Sequence, residues 1–507
     1  MKKRLLSILL TLCMLLTLLP TAALAAENTT KTANSTISVE TGGTTKYYDK
    51  QEDGWNAAAG AANTNGATVQ LLADWKAAPA DDTIKTSFGT GAGFGKQGYI
   101  LVPANKTIIL DLNDYTIDRE LRNQSSAVPE GKVIEVKGNL TLKNTNRDIK
   151  ITGKITGANS SNGGAVDVAS GGGTFTMEGG SITGNNASVA GGVYVNGNFN
   201  MTGGKIYSNS ANGANGAGGV YVSDTGTFNM SGGSITGNTA VGDKSAGGVY
   251  MVGGGTSFTM TGGSITGNTG GGAGGVLVAD ASNSKNIFIV GGTAKITGNK
   301  LTGGIASNVL LQNITGGDNR KITCATDGDA LASGATIGVT TQTKPTDKAP
   351  VAITDQSYVN YSSFFFSDNA DYETRNSGTA GAYVVQLLLN SDDDFAAGDG
   401  SASAPYQIAN AEQLSRLTAK VNNGDVNYVL KYYQLKENID LTDFGNWIPI
   451  GTATNAFKGS FDGNGKTITK LNVTGGNYSG LFGWIWDATV KKLTVGTGSV
   501  SGGQSTG

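Results

Sequence analysis

The chain has 507 residues and no histidine, which constrains its chemistry more than any residue it does contain. Without imidazole there is no Ser/His or Cys/His nucleophile pair, no His-ligated zinc and no histidine acid or base. Carboxylate chemistry remains open. Cysteine is almost missing too, with only Cys13 and Cys324. Cys13 falls in an apolar leader, where the preceding Leu12 makes it a poor lipid-attachment site. Cys324 is then alone and reads as a small buried hydrophobe. Charged residues make up only 15% of the chain and form no basic cluster, so no nucleic-acid partner is expected. Beyond the leader no long apolar run recurs, and no segment is expected to span a membrane.

Residues 1–25 have the form of a secretory signal peptide. Lys2, Lys3 and Arg4 precede the apolar run, and Ala23-Leu24-Ala25 offers small residues for cleavage before Ala26. Removing those three cations takes the net charge from −2 to −5. An extracellular protein, secreted or held at the cell surface, is expected.

Glycine is abundant, at 78 residues, and much of it sits in a repeat. The phrase F-x-M occurs at Phe175, Phe199, Phe228 and Phe258, with Phe288-Ile289-Val290 as a weaker fifth copy. Each is followed by an isoleucine (Ile182, Ile206, Ile235, Ile265, Ile296) and three residues later by an asparagine (Asn185, Asn209, Asn238, Asn268, Asn299). Between them recurs a third phrase, AVDV at Ala165, VYV at Val193 and Val220, VYM at Val249 and VLV at Val276. The period is 24 to 30 residues, and the variation falls between phrases. Short phrases that alternate apolar with polar and are bounded by paired glycines read as half-buried strands. Three strands per coil with variable loops describe a solenoid. Stacked about 4.8 Å apart, the coils bring Phe, Met, Ile and Val into buried columns. A turn asparagine in register can bond the one above and the one below, and it tolerates a left-handed conformation. The expected fold is all-β: a right-handed parallel β-helix, right-handedness being the default for parallel crossovers.

The flanks divide the rest of the chain. Residues 26–134 are expected to hold an N-terminal cap and irregular first coils, with an alanine-rich helix at about 54 to 62 covering the open end. The repeats occupy 135–339, a junction follows at 340–392, and a β-rich module with one short helix takes 393–507. In that helix Asn410 is the N-cap, Gln413 stands at the capping-box position, and Gly424 is the stop. Leu414, Leu417 and Val421 share its apolar face. Asp462-Gly463-Asn464-Gly465 signals a tight turn.

These phrases resemble known families. GGVYV with F-x-M, G-G-x-I and G-N resembles the right-handed β-helix repeats of bacterial surface and autotransporter-type proteins, over roughly residues 135 to 310. Gly163-Gly164-Ala165-Val166 is similar to the GGA[ILV] repeats of chlamydial polymorphic outer membrane proteins, although F-x-M stands where that family has FxxN. The block 393–507 resembles the GLUG-motif module of bacterial cell-surface proteins. That likeness rests on Ile439-Asp440-Leu441, Trp447-Ile448-Pro449-Ile450-Gly451, Phe457 to Gly465 and Gly480-Leu481-Phe482-Gly483. Such modules occur in adhesin-like proteins and beside immunoglobulin A-cleaving metalloproteases. Protease activity does not follow here, because H-E-x-x-H needs histidine. With one such module and no LPxTG signal, a fragment of a longer surface protein is expected.

The resemblances imply a secreted cell-surface adhesin or a structural display protein, with host or bacterial surface glycans or proteins as partners. In VYV the valines face inward, so Tyr194, Tyr221 and Tyr250 form an outward column flanked by Asp167. These four are the candidate ligand-binding residues. The bland reading of the column is cross-strand stacking that stabilises the sheet. A second outward face carries Ser181/Thr183, Ser234/Thr236, Ser264/Thr266 and Lys295/Thr297, a hydroxyl array of the kind that orders water, interrupted by Lys205 and Tyr207. The alternative function is a carbohydrate-active enzyme on a pectin lyase-like β-helix. Between residues 160 and 300 its only acids are Asp167, Glu178, Asp224, Asp243 and Asp280, which give no cluster, and there is no arginine. No catalytic residue, metal ligand or cofactor is assigned, and no enzymatic activity is expected. The glycine runs at Gly237 and Gly270 lie between no strand and helix, so they read as turns and not as phosphate loops.

Overall fold

The repeated phrases pair with their own copies in the next coil, residue on residue. In the computed structural model Phe175, Phe199, Phe228, Phe258 and Phe288 lie opposite one another in parallel strands. The result is an all-β parallel solenoid of about 13 turns. The structure describes residues 28–503 except 62–65, 80–85, 123, 125–126, 147–152, 162, 280–285, 315–319, 347–348, 379–380 and 390–394. The expected signal peptide, Cys13, Asp280 and the start of the module at 393 lie outside the described residues.

One coil runs through Val166–Val168, Thr174–Met177, Ser181–Thr183 and Asn186–Ala187. The three expected strands are thus joined by a fourth pairing of two residues, repeated at Ser210–Ala211, Thr239–Ala240, Thr269–Gly270 and Lys300–Leu301. Alternation sets the faces: Phe, Met, Ile and the outer valines of each phrase are fully buried. The phenylalanine rings stack with centroids 5.0, 4.8, 4.6 and 5.1 Å apart, close to the strand spacing itself. Cys324 continues the methionine column opposite Val290, and burial pushes its thiol up to about 12.

The asparagines form a polarised ladder. Asn185, Asn209, Asn238 and Asn268 each donate Nδ2 to Oδ1 of the asparagine in the next coil, and that oxygen also accepts the backbone N–H of the donor residue. The same amides donate to the carbonyl of an isoleucine one coil back, as Asn238 does to Ile206. Every amide dipole points the same way, an arrangement in which neighbouring bonds strengthen one another. The left-handed backbone lies one residue earlier than expected, at Gly184, Ser208, Gly237, Gly267 and Gly298, with φ between 53° and 69°.

The ladder continues past its last repeat. Asn299 donates to Asn308, and Asn308 gives both its backbone and its side-chain N–H to the half-buried carboxyl of Asp368. Thr340 Oγ1 adds a third donor at 3.2 Å. Burial pushes Asp368 up to about 6 from its ordinary 3.8, since none of the groups bonded to it carries a charge. A raised carboxyl favours the folded state only while protonated. Its contribution is fully present below 3.8 and lost as pH rises to about 6, a change of about 3 kcal/mol. Urea unfolding followed across this window should show that slope in the wild type and a shallower one in Asp368→Asn.

Both ends of the solenoid are covered. At the N-terminal end the antiparallel hairpin Ile37–Thr41 and Thr44–Tyr48 closes the phenylalanine sheet, pairing with Ala67–Leu71. Helix α1 (Gln51–Gly60) packs Trp55 and Ala58 onto the core, and the Trp55 indole donates to the Leu101 carbonyl at 3.1 Å. It begins three residues before the expected start, because Glu52 and Asp53 favour a helix N-terminus. Glu52 also accepts the Thr90 N–H at 2.8 Å. At the other end the ladders run beyond residue 339. Thr336–Thr341 pairs with Val309–Leu311 and with Phe365–Ser367, and an antiparallel sheet of Val351–Ala352, Tyr372–Ser377 and Val384–Leu389 follows. The stretch expected as a junction therefore carries strands of its own.

The C-terminal module has a separate core and repeats the solenoid principle on a smaller scale. Tyr406–Ile408, Tyr432–Leu435, Ser460–Asp462 and Thr489–Lys491 form a parallel ladder, as do Ile439–Asp440, Thr467–Thr469 and Thr494–Val495. Helix α2 (Ala411–Asn422) buries Leu414, Leu417 and Val421 as its spacing requires. Asn410 caps it through the Gln413 N–H at 2.9 Å, while the Gln413 side chain reaches past Asn410 to accept the Ala409 N–H at 2.7 Å. Asn464 and Gly465 take φ of 49° and 72°, as the tight turn demands, with Asp462 accepting the Asn464 N–H.

Candidate ligand-binding face

Register places the candidate residues in a single outward row. Glu135, Asp167, Tyr194, Tyr221, Tyr250, Leu277 and Leu310 occupy equivalent positions in successive coils. The row is formed because each lies between two inward aliphatic residues. Tyr194 and Tyr221 stack at 5.4 Å with planes 10° apart, while Tyr250 turns edge-on to Tyr221 at 5.3 Å.

The row is not uniformly open. Tyr194 and Tyr221 are half-buried, but Tyr250 is only 5% exposed and Leu277 is covered completely. A second column, Ala190, Ala217, Ala246 and Ala273, bridges from coil to coil alongside. Three of these alanines form a satellite apolar cluster with Tyr250, Leu277 and Ala279, against which Tyr221 also packs. The alanine methyls are small enough for the rings to lie against them. Burial raises the Tyr194 and Tyr250 hydroxyls above their ordinary value, so they remain neutral donors at physiological pH. Tyr194 also accepts a hydrogen bond from the Ser223 hydroxyl at 2.9 Å.

Beside the rings opens a groove of about 660 Å³, lined by Tyr221, Tyr250, Asn215, Lys244, Gln312 and Gln342. Aromatic edges set among amides and one ammonium offer a polar, hydroxylated ligand both a stacking surface and hydrogen bonds. The structure thus separates the four candidates. Tyr221 and Tyr250 share the groove, Tyr194 stacks behind them, and Asp167 belongs to different chemistry.

Asp167 faces Lys132, whose ammonium lies 2.8 Å from Asp167, 2.8 Å from Glu130 and 3.5 Å from Glu135, above the Tyr99 ring. Burial pushes the Asp167 carboxyl above its ordinary value, against the pull of Lys132. In Glu135 burial acts the same way, but Lys132 and the Tyr99 hydroxyl outweigh it and the carboxyl lies low. Three carboxylates do converge here, on an ammonium that is itself 4% exposed. A search for acids between 160 and 300 passes over this cluster, because three of its four members lie upstream. Among the described residues no group of three or more acidic or thiol side chains is placed to hold a metal ion.

The hydroxyl face is also shorter than its spacing suggests. Ser181 and Thr183 are buried, so the partly accessible rows begin at Ser234 and Thr236 and run through Ser264/Thr266 to Lys295/Thr297. The groove amides carry no repeat signature and were not legible in advance. The Asn308 terminus did leave a signal: Ser307-Asn308 stands before Val309 where earlier coils have Gly-Gly before valine.

Comparison with known proteins yields short matches. No family model matches the chain, and no solved structure does. A protein of Evansella cellulosilytica described as a Gly-rich membrane protein is 39% identical over 109 residues, 20% of this chain and 12% of that protein. Halomucin of Haloquadratum walsbyi is 33% identical over 123 residues, 22% of this chain and 1% of its own length. The matches therefore take in a small part of each relative. Together with the coil stacking, they make this chain a glycine-rich β-solenoid similar over about a fifth of its length to proteins described as a membrane protein and a halomucin.

Proposed function

We propose that the protein is a secreted, non-catalytic adhesin or display protein of a bacterial surface, in which the solenoid is a rigid stalk and the groove at Tyr221 and Tyr250 binds glycan or protein. The observation that carries this reading is the groove itself: aromatic rings and amides on a scaffold whose coils are locked in register by buried ladders. The leader, the likeness of the repeats to surface and autotransporter-type β-helices, and the likeness of 393–507 to GLUG modules support an extracellular setting. The names of the two relatives are compatible with it.

The mature protein should bind members of an array of surface glycans and extracellular-matrix proteins. The double variant Tyr221→Ala/Lys244→Ala should weaken that binding about tenfold or more, equivalent to about 1.4 kcal/mol. Binding by the double variant equal to wild type would remove the groove from the reading.

A further inference from the structure

A second cleft, of about 510 Å³, lies where the C-terminal module meets the end of the solenoid. The module is held there by Ile448, which joins the solenoid core, and by Arg416 of α2 within 4.0 Å of Glu373. One wall of the cleft is the outward face of the isoleucine sheet. Its hydroxyl rows, after passing through Ser234/Thr236 and Ser264/Thr266, enter the cleft at Thr297 and Thr336. The opposite wall is the end of α2 at Asn423, the loop carrying Thr452 and Thr454, and Tyr478.

Tyr478 is the telling residue. It follows Gly475 and Gly476 and itself takes φ of 63°, a left-handed backbone that a bulky side chain rarely adopts. Its ring is held edge-on to Trp484 at 4.8 Å and remains 37% exposed at the cleft. A third glycine would relieve the strain, so the aromatic ring is retained there against a backbone cost. Such outliers cluster at binding sites.

The remaining chemistry narrows the ligand. The cleft walls carry no carboxylate and one ammonium, that of Lys295, so neither a metal ion nor a cationic ligand is favoured. The solenoid wall is a sheet face and not an edge, which offers an extended peptide no backbone pairing. What remains are two parallel rows of hydroxyls, one of Ser234 and Ser264 and one of Thr236, Thr266 and Thr297, spaced about 4.8 Å from coil to coil and leading into the cleft, near the length of one pyranose unit, with Asn423 on the facing wall and an aromatic ring at one end.

We propose that this cleft binds a linear, uncharged pyranose oligosaccharide, laid along the hydroxyl rows with a terminal ring against Tyr478. The site lies on a different strand ladder from the tyrosine groove, and it stands or falls separately from the function proposed above. The mature protein is titrated calorimetrically with cellohexaose, mannohexaose, xylohexaose and N-acetylchitohexaose, with hexagalacturonate as the charged comparison. At least one neutral hexasaccharide should bind with Kd of about 1 mM or tighter. Tyr478→Ala should weaken it about tenfold, and Thr297→Val about threefold, with the melting temperature close to that of the wild type in both. Tyr221→Ala should bind as wild type does. Binding of none of the four, tighter binding of hexagalacturonate, or full affinity in both Tyr478→Ala and Thr297→Val would overturn the proposal. Loss of binding in Tyr221→Ala with full affinity in Tyr478→Ala would assign the saccharide to the tyrosine groove instead.

Discussion

Replacing Asn238 with alanine should destabilise the solenoid by about 3–5 kcal/mol, among the largest effects expected of a single substitution in the repeats. Asn238 is fully buried, and its Oδ1 accepts both the backbone and the side-chain N–H of Asn209 at 3.0 Å. Its own Nδ2 donates to Ile206 O and to Asn268 Oδ1, each at 2.9 Å. Alanine leaves two buried donors of Asn209 without that acceptor and removes a donor from Ile206, and each orphaned group costs about 1–3 kcal/mol. The loss falls at the middle of a one-directional chain of amides, so neighbouring bonds weaken too. Because each coil of a solenoid contacts only its neighbours, the damage should appear as uncoupling of the coils on either side. Hydrogen exchange is the direct measurement: the backbone amides of Asn209 and Asn238 should lose protection before those of the flanking coils. Unchanged protection at Asn209 would show that the ladder is incidental to the stack.

Phe228→Ala should cost nearly as much, about 3–5 kcal/mol, by a different route. The ring is fully buried between Phe199 at 4.8 Å and Phe258 at 4.6 Å, in a column of five. Alanine removes the transfer energy of the ring and leaves a cavity that the parallel ladder cannot close, since the flanking strands are held at their spacing by backbone bonds. Phe228→Leu keeps most of the volume and should cost about 1–1.5 kcal/mol, the range for volume-conserving swaps. Tyr221→Ala, on the half-buried outer row, should cost about 1 kcal/mol or less, because what it loses is chiefly a cross-strand pair. Chemical denaturation of the three variants should give that order. A Tyr221→Ala cost equal to that of Phe228→Ala would mean that the outer row is a second core and not a surface.

The contrast between these positions explains how much was legible in advance. Phe228, Met230, Ile235 and Asn238 recur at fixed spacing because every coil presents them with the same neighbours, so one physical requirement is written four times over, with a looser fifth copy from Phe288. Their outward counterparts have no such constraint. Asp167, Tyr194, Tyr221, Tyr250 and Leu277 occupy one row with three kinds of side chain, and their partners come from loops whose length varies. The tyrosine row was readable from alternation. That Lys132 claims Asp167, or that alanines half-cover the rings, was not. The N-terminal helix shows the same limit: its alanines were visible, but the anchoring of its first turn, where Glu52 meets Thr90 across 38 residues, was not.

The sequence by itself therefore determined the solenoid, its buried columns and its asparagine ladder, because stacking identical coils turns local spacing directly into tertiary neighbours. Tertiary structure alone decided where that regularity ends and where ligand-sized space opens. Asn308 and Asp368, 60 residues apart, meet only because the chain folds back across the last coil. The cleft at Tyr478 exists only because the module docks against the hydroxyl face, and no repeat spells out a contact made once.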